Sequence, residues 1–472
     1  MSVVPRLAIS ATRGGLGKTT LAIGIIAAWR KRSRRVAVFK KGPDFIDAGW
    51  LGAAAGRPCY NLDLFIMDLD NILRSFDEHT VDADVAVIEG NRGLYDGVDA
   101  SGTYSTARLS KLLKTPVVLI VDAAKASGTV GAVVLGCRQY DPGVDIKGVI
   151  LNNVSPGRHE TVIREAIERS TGLRVVGAVP RQRKGEFPER HMGLTPFHEH
   201  PEVEQAIQAS ATIAEHYLNL DAIWNIAKDV PGPVAPEQAI PRHRVEADRV
   251  VIGVIRDTAF QFYYPDNLEA LEQQGALLRE INALKDSALP EIDALYIGGG
   301  FPETQAAELA GNEGFCRAIK AAAEDGLPIY AECGGLIYLG RSLTVKEKKY
   351  PMTSVLPVDF VLEQRPQAHG YTIAEVESSH SLMDKGIVIR GHEFHYSRPV
   401  NLDALLPMAY SMKRGSGMDG TRDGLVYKNV LACYTHLHAL GTPEWAPAMI
   451  EKARDYRTRR QTAVKAGMES RF

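Results

Sequence analysis

Three things are scarce in this chain of 472 residues, and each scarcity removes a class of function. Cysteine is rare: Cys59, Cys137, Cys316, Cys333 and Cys433 are odd in number and lack metal-type spacing, so neither a disulfide framework nor a zinc module is indicated. An excess of one charge sign is missing too, with 55 basic against 57 acidic side chains and a formal charge of -2. That balance argues against a nucleic-acid partner or a membrane-surface role, so an anionic substrate must be met by a local basic patch. No apolar run approaches the roughly 20 residues of a membrane span. No charged-then-apolar leader precedes the first strand, and a cytoplasmic location is expected. Repeats at solenoid periods and low-complexity segments are absent.

What remains is an ordinary globular composition on a chain too long for one core. From residue 6 to about 180, short β-rich runs alternate with helical stretches: 35–39, 84–88, 116–122 and 146–151. Buried apolar strands separated by helices imply an α/β fold with a parallel sheet covered on both faces. Residues 202–226 read as helix. Pro231, Pro233, Pro236 and Pro241 then mark a linker, and a fresh α/β pattern starts at Arg249. The expected organisation is a first domain over 1–227, a linker over 228–247 and a second domain over 248–472.

The first domain is organised around Ala11-Thr-Arg-Gly-Gly-Leu-Gly-Lys-Thr-Thr20, which follows the strand-like Leu7-Ala-Ile9 and opens the helical run 21–29. Strand, glycine loop and helix in that order make a phosphate-binding P-loop. Gly14, Gly15 and Gly17 let backbone N–H groups converge on phosphate, Lys18 reaches the outer phosphates, and Thr19 offers a hydroxyl to Mg²⁺. Ala11 and Thr12 stand where the first glycine of such loops is usual. Glu89 ends a strand and is the expected carboxylate on the Mg²⁺ side. Lys40, Lys41, Asp44 and Asp47 follow the second strand and are expected to face the same crevice, with cations for moving charge and carboxylates for metal. Asn91 to Gly97 continues from Glu89 and brings Asp96 within reach. Asn152, Asn153, Pro180 and Arg181 end later strands and either read an adenine edge or serve as turn residues.

In the second domain Tyr330-Ala-Glu-Cys-Gly-Gly335 closes a strand and leads into an apolar helical run. A sharp turn there exposes the Cys333 sulfur while Gly334 supplies an oxyanion N–H. Gly298-Gly-Gly300 offers a second donor through close backbone approach. The thiol needs a base, and the strand-like Val430 to Tyr434 ends in Thr435-His-Leu-His438, so one imidazole can meet it.

Together these motifs resemble the cobyrinic acid a,c-diamide synthase family over nearly the whole chain. The resemblance rests on the P-loop, Lys41-Gly-Pro-Asp-Phe-Ile-Asp47, Asn61-Leu-Asp63, Glu89-Gly90 and Leu94-Tyr-Asp-Gly97. In the second half it rests on 260–268, Gly298-Gly-Gly-Phe-Pro-Glu303, Ala331-Glu-Cys-Gly-Gly335, 391–397 and Tyr434-Thr-His-Leu-His438. It implies a dethiobiotin-synthetase-like ATPase domain followed by a class I, flavodoxin-like glutamine amidotransferase domain. Cys333 then attacks glutamine with His436 as base and acid, and Gly300 and Gly334 form the oxyanion hole. The ammonia released amidates tetrapyrrole acetate carboxylates that ATP has phosphorylated. Gly14, Gly15, Gly17, Lys18, Thr19 and Lys41 are implied to hold phosphate, Thr19, Asp44 and Glu89 to hold Mg²⁺, and Asp47, Asp63, Tyr95 and Asp96 to meet substrate or acyl phosphate. Arg57, Arg92, Arg108, Arg181, Arg183, Lys184 and Arg190 are candidates for binding the polycarboxylate. A homodimer is a further family-level expectation.

The chain departs from related patterns in places. No Glu stands two residues after His436, where many class I glutaminases carry a third triad member, so a Cys-His dyad is expected, with His392 or His395 as the other orienting candidates. Cys59-Tyr60 precedes Asn61 where relatives carry Ser-Arg, which leaves sirohaem or nickel sirohydrochlorin open as the macrocycle. A partition-type switch ATPase is the reading from another class; its loop carries a lysine where Arg13 stands, and it lacks a cysteine elbow. Cobyric acid synthase and a degenerate amidotransferase are the nearer rivals.

Overall fold

Runs such as Val85-Ala-Val-Ile88 and Val117-Val-Leu-Ile-Val121 carry no polar alternation, so both of their faces need cover, and the chain provides it by helical crossovers. The computed structural model describes residues 3–182, 189–190, 193–194, 202–232, 249–377, 382–403 and 405–469. The chain divides into two compact units, 1–239 and 240–472. That division falls within the stretch read as linker, of which 233–247 lies outside the described residues.

In the first unit the strands are β1 (Arg6–Ala11), β2 (Val36–Lys41), β3 (Cys59–Leu62), β4 (Val85–Glu89), β5 (Val117–Asp122), β6 (Ile146–Val154) and β7 (Arg174–Pro180). They pair in the order β3-β2-β4-β1-β5-β6-β7, and every pairing is parallel. The crossovers carry α1 (Lys18–Lys31), α2 (Phe45–Ala55), α3 (Leu69–Thr80), α4 (Thr106–Leu112), α5 (Gly128–Tyr140) and α6 (Arg158–Thr171). A short antiparallel pair, β8 (Glu189–Arg190) with β9 (Gly193–Leu194), follows, then α7 (Val203–Tyr217) and α8 (Leu220–Lys228). Register fixes the chemistry at the sheet's carboxyl edge, where Glu89 of β4 lies opposite Ile9 on one side and Lys40 on the other. Successive residues of a strand face opposite sides, so Lys40 and Lys41 serve different faces of that edge.

The second unit opens with β10 (Val250–Ile255), β11 (Phe260–Phe262), α9 (Pro265–Gln273), β12 (Ala276–Ile281), β13 (Ala294–Ile297) and β14 (Gly299–Gly300). It continues through α10 (Ala306–Gly311), α11 (Glu313–Asp325), β15 (Ile329–Glu332) and α12 (Gly334–Leu339). A small sheet runs in the order β17 (Lys348–Pro351), β16 (Ser342–Val345), β18 (Asp359–Leu362) and β21 (Ser397–Val400). The remaining elements are β19 (Ala368–Val376), β20 (Val388–His395), β22 (Met408–Arg414), β23 (Arg422–Tyr427), β24 (Val430–Cys433), β25 (His436–Leu437) and α13 (Trp445–Glu469). The main sheet has ten strands in the order β12-β10-β13-β15-β24-β23-β22-β19-β20-β25. Its parallel half, β12-β10-β13-β15-β24, is the flavodoxin-like order 2-1-3-4-5. The antiparallel half is an addition that the apolar runs did not announce. Within it β19 alternates buried with partly exposed residues along much of its length, as a strand with one wetter face does.

Close helix packing behind the P-loop depends on one glycine. A Cβ on Gly24 of α1 would lie 2.3 Å from the Ser210 carbonyl oxygen of α7, well inside contact distance. Gly24→Val is expected to cost about 1–3 kcal/mol. The first unit's melting transition should fall by about 2–4 °C for each kcal/mol. An unchanged transition in scanning calorimetry would contradict this packing.

Candidate active sites

The P-loop leaves β1 and enters α1 through Gly15 and Gly17, at φ 70° and 71°, a region that side chains disfavour. Gly17 caps α1 without a side-chain hydrogen bond, which leaves the first-turn N–H groups of a 14-residue helix open to an anion. Gly14 and Gly15 are exposed, and a Cβ on either would meet nothing within 4 Å. Behind the loop, the Asn152 amide donates to the Leu16 carbonyl at 3.0 Å, and Asn153 donates to Asp122 at 3.1 Å. Both asparagines therefore brace the loop and the end of β5.

Three buried lysines at the carboxyl edge of this sheet are in different electrostatic states. Lys40 is 1% exposed, with Nζ 2.6 Å from Asp47 and 3.3 Å from Glu89. Burial alone disfavours its charge, but Asp47 and Glu89 outweigh burial and hold the ammonium firmly protonated. Lys18 and Lys41 are also buried, and neither makes a hydrogen bond or ion pair among the described residues. Burial, then the charge of Lys40, lowers the pKa of Lys18. Burial lowers that of Lys41, against the attraction of Asp63. A buried amine at the helix end of a glycine loop, with carboxylates near it but no hydrogen bond or ion pair among the described residues, is what a phosphate would satisfy.

Glu89 is fully buried, and burial raises its carboxyl to about 7 despite the charge of Lys40. Its Oε1 accepts the Thr19 hydroxyl at 2.7 Å, while Oε2 accepts no hydrogen bond. Asp44 caps α2, its Oδ1 accepting the Asp47 N–H at 2.8 Å; burial, then Asp47, raises its carboxyl to about 6. Asp63 turns the chain after β3 by accepting the N–H groups of Phe65 and Ile66. Asp96 accepts the Gly93 N–H at 2.7 Å. Tyr95 turns elsewhere: its hydroxyl donates to the Cys137 carbonyl at 2.6 Å and its ring packs on Tyr140. Cys59 and Tyr60 are buried in β3, with the Tyr60 ring stacked on His79. They pack the sheet, while Asn61 beside them holds the carbonyls of Gly42 and Asp44.

Among the basic candidates, Arg57 pairs with Asp82 at 3.0 Å. Arg92 is exposed at φ 50° and makes no hydrogen bond or ion pair among the described residues. Its charge reaches Lys41. Arg108 and Arg181 are exposed, and Arg183, Lys184 and the Arg190 side chain lie outside the described residues.

In the second unit β15 ends at Glu332, and Cys333 takes φ 46° and ψ −95° before α12 begins. A non-glycine residue in that region stores about 1–3 kcal/mol of strain and persists only where its surroundings enforce it. Here the Cys333 N–H donates to the Cys433 carbonyl at 2.7 Å and the Gly335 N–H to that of Gly298 at 3.1 Å. A Cβ on Gly334 would lie 3.0 Å from the Gly300 nitrogen, and one on Gly299 would lie 2.5 Å from His436 Cε1. The glycine loop therefore sits against both the nucleophile turn and the imidazole. Cys333 is buried, and burial, then Glu303 and Glu332, pushes its thiol far above the ordinary value. It rests as a thiol that needs a base.

His436 lies on β25, opposite His392 of β20, and the two rings stack at 4.9 Å. Burial and neighbouring imidazoles hold His392 neutral. His395 stacks on Tyr434, with Nδ1 on the Ser397 carbonyl at 2.7 Å, so it does not orient His436. His438, in the position where many class I glutaminases carry Glu, faces Asp266 at 3.3 Å. The partner of His436 is instead Glu332, whose Oε2 lies 3.2 Å from Nδ1. A dyad thus understates the geometry. The signal that a motif reading misses is a carboxylate one residue before the cysteine, on a strand that the parallel register sets beside β24.

Lys40→Met leaves Glu89 and Asp47 without their shared cation, and the expected loss of stability is about 3–5 kcal/mol near pH 8. The loss should shrink toward pH 6, because a proton on Glu89 removes the orphaned charge and its pKa is already raised to about 7. Urea unfolding of nucleotide-free protein at the two pH values measures this, and an equal loss at both would contradict it.

Two family models match the chain: the CobQ/CobB/MinD/ParA nucleotide binding domain over residues 7–194 and the CobB/CobQ-like glutamine amidotransferase domain over 251–444. The first description spans both amidases and switch ATPases, and the second domain separates them. The cobyrinate a,c-diamide synthase of Magnetococcus marinus is 42% identical over 94% of this chain and 96% of its own length. That of Archaeoglobus fulgidus is 41% identical over 95% and 98%, and that of Caldanaerobacter subterraneus subsp. tengcongensis is 37% identical over 95% and 98%. With a nucleotide-binding unit, a glutamine amidotransferase unit and identity running through both, the chain belongs to the cobyrinate a,c-diamide synthase family of glutamine-dependent amidating ligases.

Proposed function

We propose that this chain converts acetate side-chain carboxylates of a cobyrinate-type tetrapyrrole into primary amides, using ATP to activate the carboxylate and glutamine to supply the nitrogen. The observation that carries the reading is Lys18, a buried amine that opens α1 at the end of the glycine loop and makes no hydrogen bond or ion pair among the described residues, with Lys41 buried likewise at the end of β2. A carboxylate resists ammonia until one of its oxygens becomes a phosphate leaving group. Lys18 and the N–H groups of Gly14, Gly15 and Gly17 hold the phosphates of ATP, and Lys41 meets the charge that develops on the phosphoryl group as it transfers. Lys40 is held by Asp47 and Glu89 and acts by keeping those carboxylates in place. Asp63 and Asp96 shape the crevice through the backbone bonds they accept. Arg92 meets a substrate carboxylate at the mouth.

The oxygen donors at Thr19 and Glu89 fit Mg²⁺, which takes few protein ligands and completes its shell with phosphate and water. Glu89 Oε2 is buried and faces Lys40 Nζ at 3.3 Å without a hydrogen bond among the described residues, beside the Thr19–Glu89 contact. Asp44 spends Oδ1 on the cap of α2, which leaves Oδ2 for any share in the metal. The ion, when bound, neutralises phosphate charge during transfer. In the other unit Cys333 attacks the glutamine amide with His436 as base, the N–H groups of Gly300 and Gly334 receive the oxyanion, and ammonia leaves. The relatives' cobyrinate a,c-diamide synthase names support the corrin over the other macrocycles.

The test offers cobyrinic acid, sirohaem and sirohydrochlorin separately with Mg²⁺, ATP and glutamine, and counts product amides by mass spectrometry. Two amides on cobyrinic acid alone are expected; amides on sirohaem and none on the corrin would overturn the substrate assignment. In the same assay Cys333→Ala should lose glutamine-driven synthesis but keep synthesis from concentrated ammonium salt. Lys18→Ala should lose both, and retained amidation by that variant would overturn the ATP-site assignment.

A further inference from the structure

We infer that Glu332, the residue immediately before the nucleophile, is the positioning carboxylate of the glutaminase site and completes a Cys333, His436, Glu332 triad from the nucleophile's own strand. The inference rests on the proposed roles of Cys333 and His436.

Glu332 is 1% exposed and surrounded by donors. Its Oε1 accepts the Tyr330 hydroxyl at 3.0 Å and the Leu437 N–H at 3.2 Å. Its Oε2 accepts the Tyr296 hydroxyl at 3.3 Å and lies 3.2 Å from His436 Nδ1. Two tyrosines, one amide and one imidazole thus converge on a single carboxylate. A carboxylate with this set of donors accepts at both oxygens, so Nδ1 must carry the proton and Nε2 keeps its lone pair. Nε2 lies on the glycine-loop side of the ring, where a Cβ on Gly299 would come within 3.2 Å of it.

The surrounding structure holds this arrangement rigidly. Trp445 packs on the rings of Tyr296 and Tyr330 at 5.3 and 5.4 Å, which fixes both hydroxyl donors. The bond from Leu437 N–H ties β25 to the same carboxylate, so the imidazole and its acceptor move as one piece. The alternative carboxylate, Asp266, faces His438.

The chemistry follows from the tautomer. As the Cys333 sulfur bonds to the glutamine amide carbon, its proton passes to Nε2 and the ring becomes an imidazolium whose charge faces Glu332. The carbon–nitrogen bond then breaks, Nε2 returns the proton to the leaving nitrogen, and ammonia departs. Water hydrolyses the thioester to glutamate and restores the thiol. Because burial, Glu303 and Glu332 all disfavour an isolated thiolate, the useful thiolate exists only as a pair with the imidazolium, which Glu332 stabilises.

The test compares Glu332→Gln with the parent enzyme for glutamate release and for Cys333 alkylation by iodoacetamide across pH. The amide can present its NH₂ to Nδ1 and favour the wrong tautomer. Expected are a fall in kcat of about 100-fold or more with the glutamine KM within about threefold, and an alkylation profile displaced to higher pH. A merely structural role would not displace that profile. Parental kcat and an unmoved profile in Glu332→Gln would overturn the inference. Should that variant fail to give a melting transition, Glu332→Asp decides: withdrawing the carboxylate by one methylene is expected to lower kcat about tenfold or more, and parental kcat would overturn the inference. Cys333→Ala run alongside separates the two levels, since glutamate release by that variant would remove the underlying assignment of the nucleophile instead.

Discussion

A parallel sheet covered on both faces by its own crossovers leaves only the strand ends for polar chemistry, and both units of this chain obey that constraint. In the first, Ala11, Lys41 and Glu89 end adjacent strands, so glycine loop, cations and carboxylate arrive together without long loops. In the second, Glu332 and Cys433 end adjacent strands, and the nucleophile and the histidine segment follow directly. Lys41, Glu89, Glu332 and His436 lie on strands, so their placement depends on register, and a slip of one residue would turn each to the other face.

The electrostatics of the two sites are opposite, and each suits its reaction. At the carboxyl edge of the first sheet Lys40 is taken up by Asp47 and Glu89, whereas Lys18 and Lys41 make no hydrogen bond or ion pair among the described residues, which suits the proposed binding of phosphate. Around Cys333, burial and two nearby carboxylates disfavour the thiolate, which suits the proposed transfer of its proton to His436 during attack. The first site stores attraction for an anion; the second avoids a free, oxidation-prone thiolate.

Much of this was legible in the residues. The P-loop, the elbow at Cys333 and the β4 carboxylate Glu89 follow from local motifs on continuous apolar strands, which buried parallel strands always show. The antiparallel half of the second sheet was not legible, because half-exposed strands such as β19 mix polar and apolar residues and resemble loops. Glu332 is hidden from a motif reading, because a third carboxylate is expected at a set distance from His436 along the chain, whereas register places one across the sheet. Tyr95 was expected at the crevice, yet its hydroxyl turns to α5. Cys59 and Tyr60, where a substrate signal was expected, are buried in β3 with the Tyr60 ring on His79.

The central claim is that the unpaired lysines of the P-loop crevice serve phosphoryl transfer onto a carboxylate. It is tested most directly by running the amidation on substrate labelled with ¹⁸O in its carboxylates and analysing the inorganic phosphate released. An acyl-phosphate route predicts one ¹⁸O in phosphate for each amide formed. Unlabelled phosphate accompanying full amidation would contradict it.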